Sequence, residues 1–171
     1  MVPQLLPAPH SVPVLSRRAR PTGLTEGTLI QTAEGPLPVE YLLGGDRIVT
    51  QRGIVELRGT SVLIAQDADV VVIDPEAPLV GDAIRERPLI VPAHQQVLVN
   101  DWRATILHGQ SAMLTPAASL VDDALVRRER RARLRLFRLH FDVAQVIQAN
   151  GCAVASARTR APEVERRRHL H

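Results

Sequence analysis

Short apolar runs divided by turn residues constrain this chain more than any other feature. Between Gly23 and Ala155, "TLIQTA" meets the turn "AEGP", "DRIVTQ" meets "QRG", "IVELRGTSVLIA" alternates in part, and "DVVVID" stops at "DPEAP". After a looser "LVGDAIRERP" come "LIVPA", "QQVLVN" and "WRATIL". Each run is strand-sized, none sustains a helical period for long, and glycine or proline stands wherever the backbone must reverse. The pattern predicts an all-β domain of short strands with at most one or two short helices. The expected helix lies in "LTPAASLVDD", with Thr115 as its cap and Pro116 in its first position. "RARLRLFRLHF", in which Arg133 to Leu136 alternate basic with apolar residues, reads as a half-buried strand. "AQVIQANGCAVA" reads as a segment turning at "NG".

With 171 residues and 45% hydrophobic content, the chain suits one domain that buries its own core without metals or disulfides. Residues 1–22 carry five prolines and three arginines with no apolar period. Such a composition does not offset the entropy of ordering it, so a disordered leader is expected. Residues 157–171 are charged and aperiodic and read as a disordered tail. The domain is expected over residues 23–156.

The basic residues are 21 arginines with no lysine, against 18 acids, for a net charge of +3; the pI of about 10.3 overstates the positive field. Arginine in place of lysine is read as compositional bias before it is read as a nucleic-acid surface. The single cysteine, Cys152, has no partner for an internal bridge, and between the "NG" turn and "AVA" it reads as a core residue. No run approaches the ~18 apolar residues of a membrane helix, and the start lacks the basic-then-apolar order of a secretory signal. Cytoplasmic location is the default expectation, with export by a route needing no such signal left open.

"GLTEGTLIQTAEGPLPVEYLLGGDRIVT", Gly23 to Thr50, resembles the opening motif of Hint domains, the fold shared by hedgehog autoprocessing domains and inteins. It keeps Leu24, Gly27, Thr28, Ile30, Thr32, Gly35, Pro38, Val39, Glu40, Leu42, Gly45, Asp46 and Thr50 of that motif. "LIVPAHQQVLV", Leu89 to Val99, resembles the family's second block, and "LHFDVAQVIQANGCAVAS", Leu139 to Ser156, its closing block, in the family's order. The likeness is greatest to stand-alone bacterial Hint proteins. It implies a Hint-like fold, no cofactor and no metal.

In that family an acyl shift begins when a cysteine, the first residue of the domain, attacks the carbonyl before it. The resemblance puts Gly23 there, the position of a lost nucleophile. A histidine of the second block polarises or protonates the amide being broken, and a hydroxyl residue three before it helps hold that amide. These positions fall on His94, vestigial or residually active, and on Val91, which offers no side-chain hydrogen bond. In the closing block Asp142 takes an acidic position, and Gln145 stands where splicing proteins use a histidine. Ala155 and Ser156 replace the terminal histidine and asparagine that release the chain. The resemblance implies that Gly23, His94 and the Asp142 to Gln145 segment surround one cleft, which becomes a binding groove once the nucleophile is gone.

Other residues read as structural. Thr22 lies one residue early and lacks a base to activate it. His108 and His140 have no metal-like spacing with His94 or Cys152. Asp46 is expected to fix a turn. The seven arginines within Arg127 to Arg138 could meet phosphates, but aromatic residues for stacking bases are scarce, so nucleic acid is not the expected partner. Three functions stand as expectations. The first is a catalytically degenerate autoprocessing module, a pseudoenzyme that binds an unidentified protein or serves as a scaffold. The second is residual self-cleavage, and the third weak binding of nucleic acid or an anionic surface through the arginine strip. Oligomeric state is left open.

Overall fold

The computed structural model describes residues 14–15, 20–79, 85–100, 105–106, 109 and 111–157. Among them the chain is all-β. The strands are β1 (Val14–Leu15), β2 (Leu24–Thr25), β3 (Leu29–Thr32), β4 (Gly35–Pro38), β5 (Arg47–Thr50), β6 (Gly53–Glu56), β7 (Gly59–Ile73), β8 (Leu89–Pro92), β9 (Gln96–Asn100), β10 (Ala112–Pro116), β11 (Val126–His140), β12 (Val146–Ala149) and β13 (Cys152–Ala155). Two single turns of 3-10 helix, Val39–Tyr41 and Ala117–Leu120, complete the described elements. The expected helix after Leu114 is thus corrected. Thr115 and Pro116 pair with Val97 and Gln96 as the end of β10, and the turn that follows has no side-chain cap. Pairing with β9 satisfies the backbone that a cap would otherwise have served.

The strands form two sheets. One runs β1-β7-β11-β2 with β8 also on β7, and the other runs β10-β9-β13-β12-β3-β5-β6 with β4 on β3. The runs expected separately in "GTSVLIA" and "DVVVID" join into the single strand β7. Its partner β11 matches it in one register from Gly59 opposite His140 to Ile73 opposite Val126. This 15-residue antiparallel ribbon is the backbone of the first sheet. Val14–Leu15, in the segment read as leader, pair in parallel with Ile64–Ala65 on its far edge.

The second sheet is built from tight hairpins that repeat one device. Thr32 Oγ1 donates to the Gly35 carbonyl and accepts from the Glu34 amide. Thr50 Oγ1 does the same with the Gly53 carbonyl and the Arg52 amide. Each threonine hydroxyl substitutes for the partners its turn lacks, which explains why both are buried although polar. Asp46 fixes its turn as the sequence suggests, accepting the Leu43 amide at 2.8 Å. The β12–β13 turn places Asn150 at φ 46° and Gly151 at φ 76°, the left-handed pair that a two-residue hairpin needs.

The core lies between the sheets, with Ile30, Val39, Ile48, Leu57, Val71, Ile73, Leu89, Val97, Phe137, Phe141, Ile147 and Val154 all buried. Cys152 packs there as well. On the β7–β11 ribbon a second small cluster gathers Leu63, Ala65, Ala68 and Leu136. Among the described residues no helix is long and apolar enough to cross a membrane.

Candidate functional site

The start and the end of the domain meet beside the carboxyl end of β11. β2 pairs with β11 through Leu24 opposite Phe137 and Thr25 opposite Leu136, so Gly23 is laid against the Phe137 backbone. A β-carbon on Gly23 would lie 2.9 Å from the Phe137 carbonyl oxygen and 3.3 Å from Leu136 Cβ. The residue also adopts φ 136°, a conformation that side chains disfavour. Glycine at this point therefore permits a close approach of two strands, beyond simply lacking a thiol.

The Thr22–Gly23 peptide is held from both sides. Arg138 Nε donates to the Thr22 carbonyl at 3.2 Å, and its terminal nitrogen donates to Thr22 Oγ1 at 3.1 Å. The Gly23 N–H donates to Gln95 Oε1 at 2.9 Å. Gln95 is only 3% exposed, and its amide nitrogen donates to the Ala155 carbonyl at 2.8 Å and the Gln96 carbonyl at 3.2 Å. One glutamine thus ties the entrance of the domain to its exit. Ser156 closes the far side, its N–H donating to the Gln145 carbonyl at 2.8 Å while its Oγ accepts the Gln145 N–H at 2.9 Å.

The residues singled out by sequence are only partly brought together. Gly23, Ala155 and Ser156 line one small cavity with Thr22, Gln95 and Arg138. His94 is exposed and has no hydrogen-bond partner among the described residues. Asp142 lies on the surface in a two-point pair with Arg58, at 3.0 and 2.7 Å, and that hydrogen bond holds its carboxyl below the usual range. Val91 is fully buried in β8. Gln145 is buried, and its side-chain oxygen has no hydrogen-bond partner among the described residues. The cavity at this point, lined in part by the chain's own Thr22–Gly23 segment, measures about 10 Å³, room for about one water.

Two residues that matter here escaped the sequence reading. Gln95 is in phase with buried Val97, while His94 is in phase with Gln96, which is less buried. Extending the strand alternation of β9 back by one residue turns Gln95 inward with Val97, and that count is the available signal. Arg138 is one of the seven arginines of that strip, and nothing in its spacing distinguishes it. His108 lies outside the described residues. His140 faces Ser61, with Nε2 2.7 Å from Oγ; burial, then the charge of Arg138, lowers its pKa. Burial raises the Cys152 thiol, which Arg85 partly offsets, so at neutral pH it is a protonated core side chain. No cluster of three metal-ligating side chains occurs among the described residues.

The arrangement has a donor at a carbonyl and an acceptor at an amide, with no side-chain nucleophile at position 23. Solved structures with a similar fold include the DnaB intein from Synechocystis sp. PCC 6803 (13% identity, 80% of this chain and 99% of that one, TM-score 0.51). A splice-inactive variant of the AceL NrdHF class 3 split intein matches at 10% identity, over 80% and 98% of the two chains, with TM-score 0.51. A bacterial intein-like domain from Clostridium thermocellum matches at 11% identity, over 80% and 99%, with TM-score 0.50. No curated protein matches by sequence. The sequence profile of the Hint domain matches residues 22–161, and with the fold and the meeting of the two domain ends this places the chain in the Hint domain family.

Proposed function

We propose that this Hint domain no longer cleaves itself and acts as a binding or scaffold module that keeps its leader attached. The observation that carries the reading is the contact at Gly23, where a β-carbon would come within 2.9 Å of the Phe137 carbonyl oxygen. A cysteine or serine there needs room that the paired strands occupy, so the position has lost both the reacting atom and the space for it. The neighbouring groups agree. Gln95 accepts the Gly23 N–H but has no ionisable proton to give a departing amine. His94 is exposed at the surface. With the cavity reduced to about 10 Å³, any external partner docks outside it. Intact-mass measurement of freshly purified protein is expected to give the full chain, and loss of the residues before Gly23 would overturn the reading.

Residual self-cleavage remains the second reading because of Arg138. Its guanidinium bonds the Thr22 carbonyl oxygen, where negative charge would develop if that carbonyl were attacked. Incubation with hydroxylamine tests it: scission at Thr22–Gly23 that Arg138→Ala abolishes supports residual chemistry, and an unchanged mass counts against it.

A further inference from the structure

Away from the Thr22–Gly23 junction, we propose that Ser61 and His140 form a nucleophile–base pair that accepts the acyl group of a small activated ester. The pair follows from the register of the β7–β11 ribbon. Ser61 stands opposite Arg138, and Gly59 opposite His140; partners across an antiparallel ladder point to the same side. Alternate residues of one strand share that side as well, so Gly59, Ser61, Arg138 and His140 occupy one face. There Ser61 Oγ lies 2.7 Å from His140 Nε2, the reach a hydroxyl needs to pass its proton to a base.

The surroundings suit that transfer. Ser61 is exposed and His140 half-buried, so the hydroxyl meets solvent while the ribbon holds its partner. Burial, and after it the charge of Arg138, disfavours the imidazolium. At neutral pH the ring is therefore the uncharged imidazole, the form that accepts a proton. Gly59 leaves room beside the two, since a β-carbon there would meet no heavy atom within 4 Å. On the other side the same face is closed by Leu63 and Leu136, the next opposed pair along the ribbon, both buried. The gap over Gly59 thus admits a short acyl group and not a long chain. Arg138 carries a positive charge near enough to act on the ring, and such a charge favours the oxyanion that forms at the attacked carbonyl.

The reaction balances with the ester and water alone. As Ser61 Oγ bonds the acyl carbon, its proton passes to His140 Nε2; the bond from that carbon to the leaving oxygen then breaks, and the alcohol departs with that proton. Water reverses the sequence, giving a proton to His140 as it attacks the acyl-serine; the acid leaves and the proton returns to Ser61 Oγ.

Acetylation of the full chain by p-nitrophenyl acetate at neutral pH, quenched in acid at short times and mapped by peptide fragmentation, tests this. Ser61 is expected to react at least about tenfold faster than Ser111 and Ser119, which are also exposed. That comparison lies within the unaltered chain and needs no variant to fold. His140→Gln, which keeps a hydrogen-bonding side chain but no base, is expected to slow Ser61 acetylation about a hundredfold, and Ser111→Ala to leave it unchanged. Ser61 reacting no faster than the other two serines overturns the pair, as does a rate indifferent to His140→Gln. Acetyl on His140 in the Ser61→Ala protein, formed as fast as on Ser61 in the unaltered one, also overturns it, because the imidazole is then the nucleophile. Each outcome is independent of the Thr22–Gly23 bond, whose fate the intact mass reads separately.

Discussion

Gly23 and the groups around it decide whether lost chemistry can be put back by a single change. Installing the sulfur through Gly23→Cys brings a β-carbon within 2.9 Å of the Phe137 carbonyl oxygen and a side chain into a φ of 136°. The variant is expected to lose about 1–3 kcal/mol of stability, read as a lowered denaturant midpoint, and to remain uncleaved. Gly23→Ala, which adds the strain without the thiol, is expected to match it, and a cleaving, fully stable Gly23→Cys protein would contradict both statements. His140 gives a pH dependence. Burial and Arg138 lower its pKa in the folded protein, so below about 6.5 the unfolded chain binds more protons than the native one. Stability therefore rises with pH through the window just under the ordinary histidine value and is lost as pH falls. Replacing His140 by Gln should flatten that part of a midpoint-against-pH curve, and an unchanged slope would rule out its share.

Among the elements, the hairpins were the most legible in sequence because their turns carry their own chemistry. Asn150 illustrates it: besides its left-handed backbone, its side chain accepts the Leu29 amide at 2.8 Å and donates to the Pro88 carbonyl at 3.1 Å. It thereby joins β12 to β3 and to the approach of β8. Asn150→Ala removes both bonds and favours another backbone, and is expected to cost about 1–3 kcal/mol in a urea titration. A neutral result would mean that the turn alone holds these strands. The long ribbon was less legible, since "GTSVLIAQDADVVVI" contains polar positions that look like breaks. Continuous pairing with β11 overrides them, a long-range cause that no local pattern carries. The 3-10 turn at Ala117–Leu120 fell the other way, because proline and threonine suit both a strand end and a helix start.

Taken as one object, the domain is a Hint fold whose two ends are tied together by Gln95. The resemblance points to His94 by motif spacing; in the structure Gln95 is the residue bonded to Gly23, and its neighbour His94 is exposed. The arginine strip is also less available than its count suggests. Arg127, Arg130, Arg131 and Arg135 face Asp74, Asp67, Glu129 and Glu26, and Arg138 holds the junction. Charged residues along an open strand edge also discourage unwanted pairing. On a polyanion column the protein is expected to elute below about 0.15 M salt; retention well above that would revive a nucleic-acid or anionic-surface role. The deciding measurement is the intact mass of the purified full-length chain, repeated after long incubation with thiol. A constant 18.8 kDa species agrees with a junction that is held and never broken, and a product beginning at Gly23, formed by the protein unaided, contradicts it.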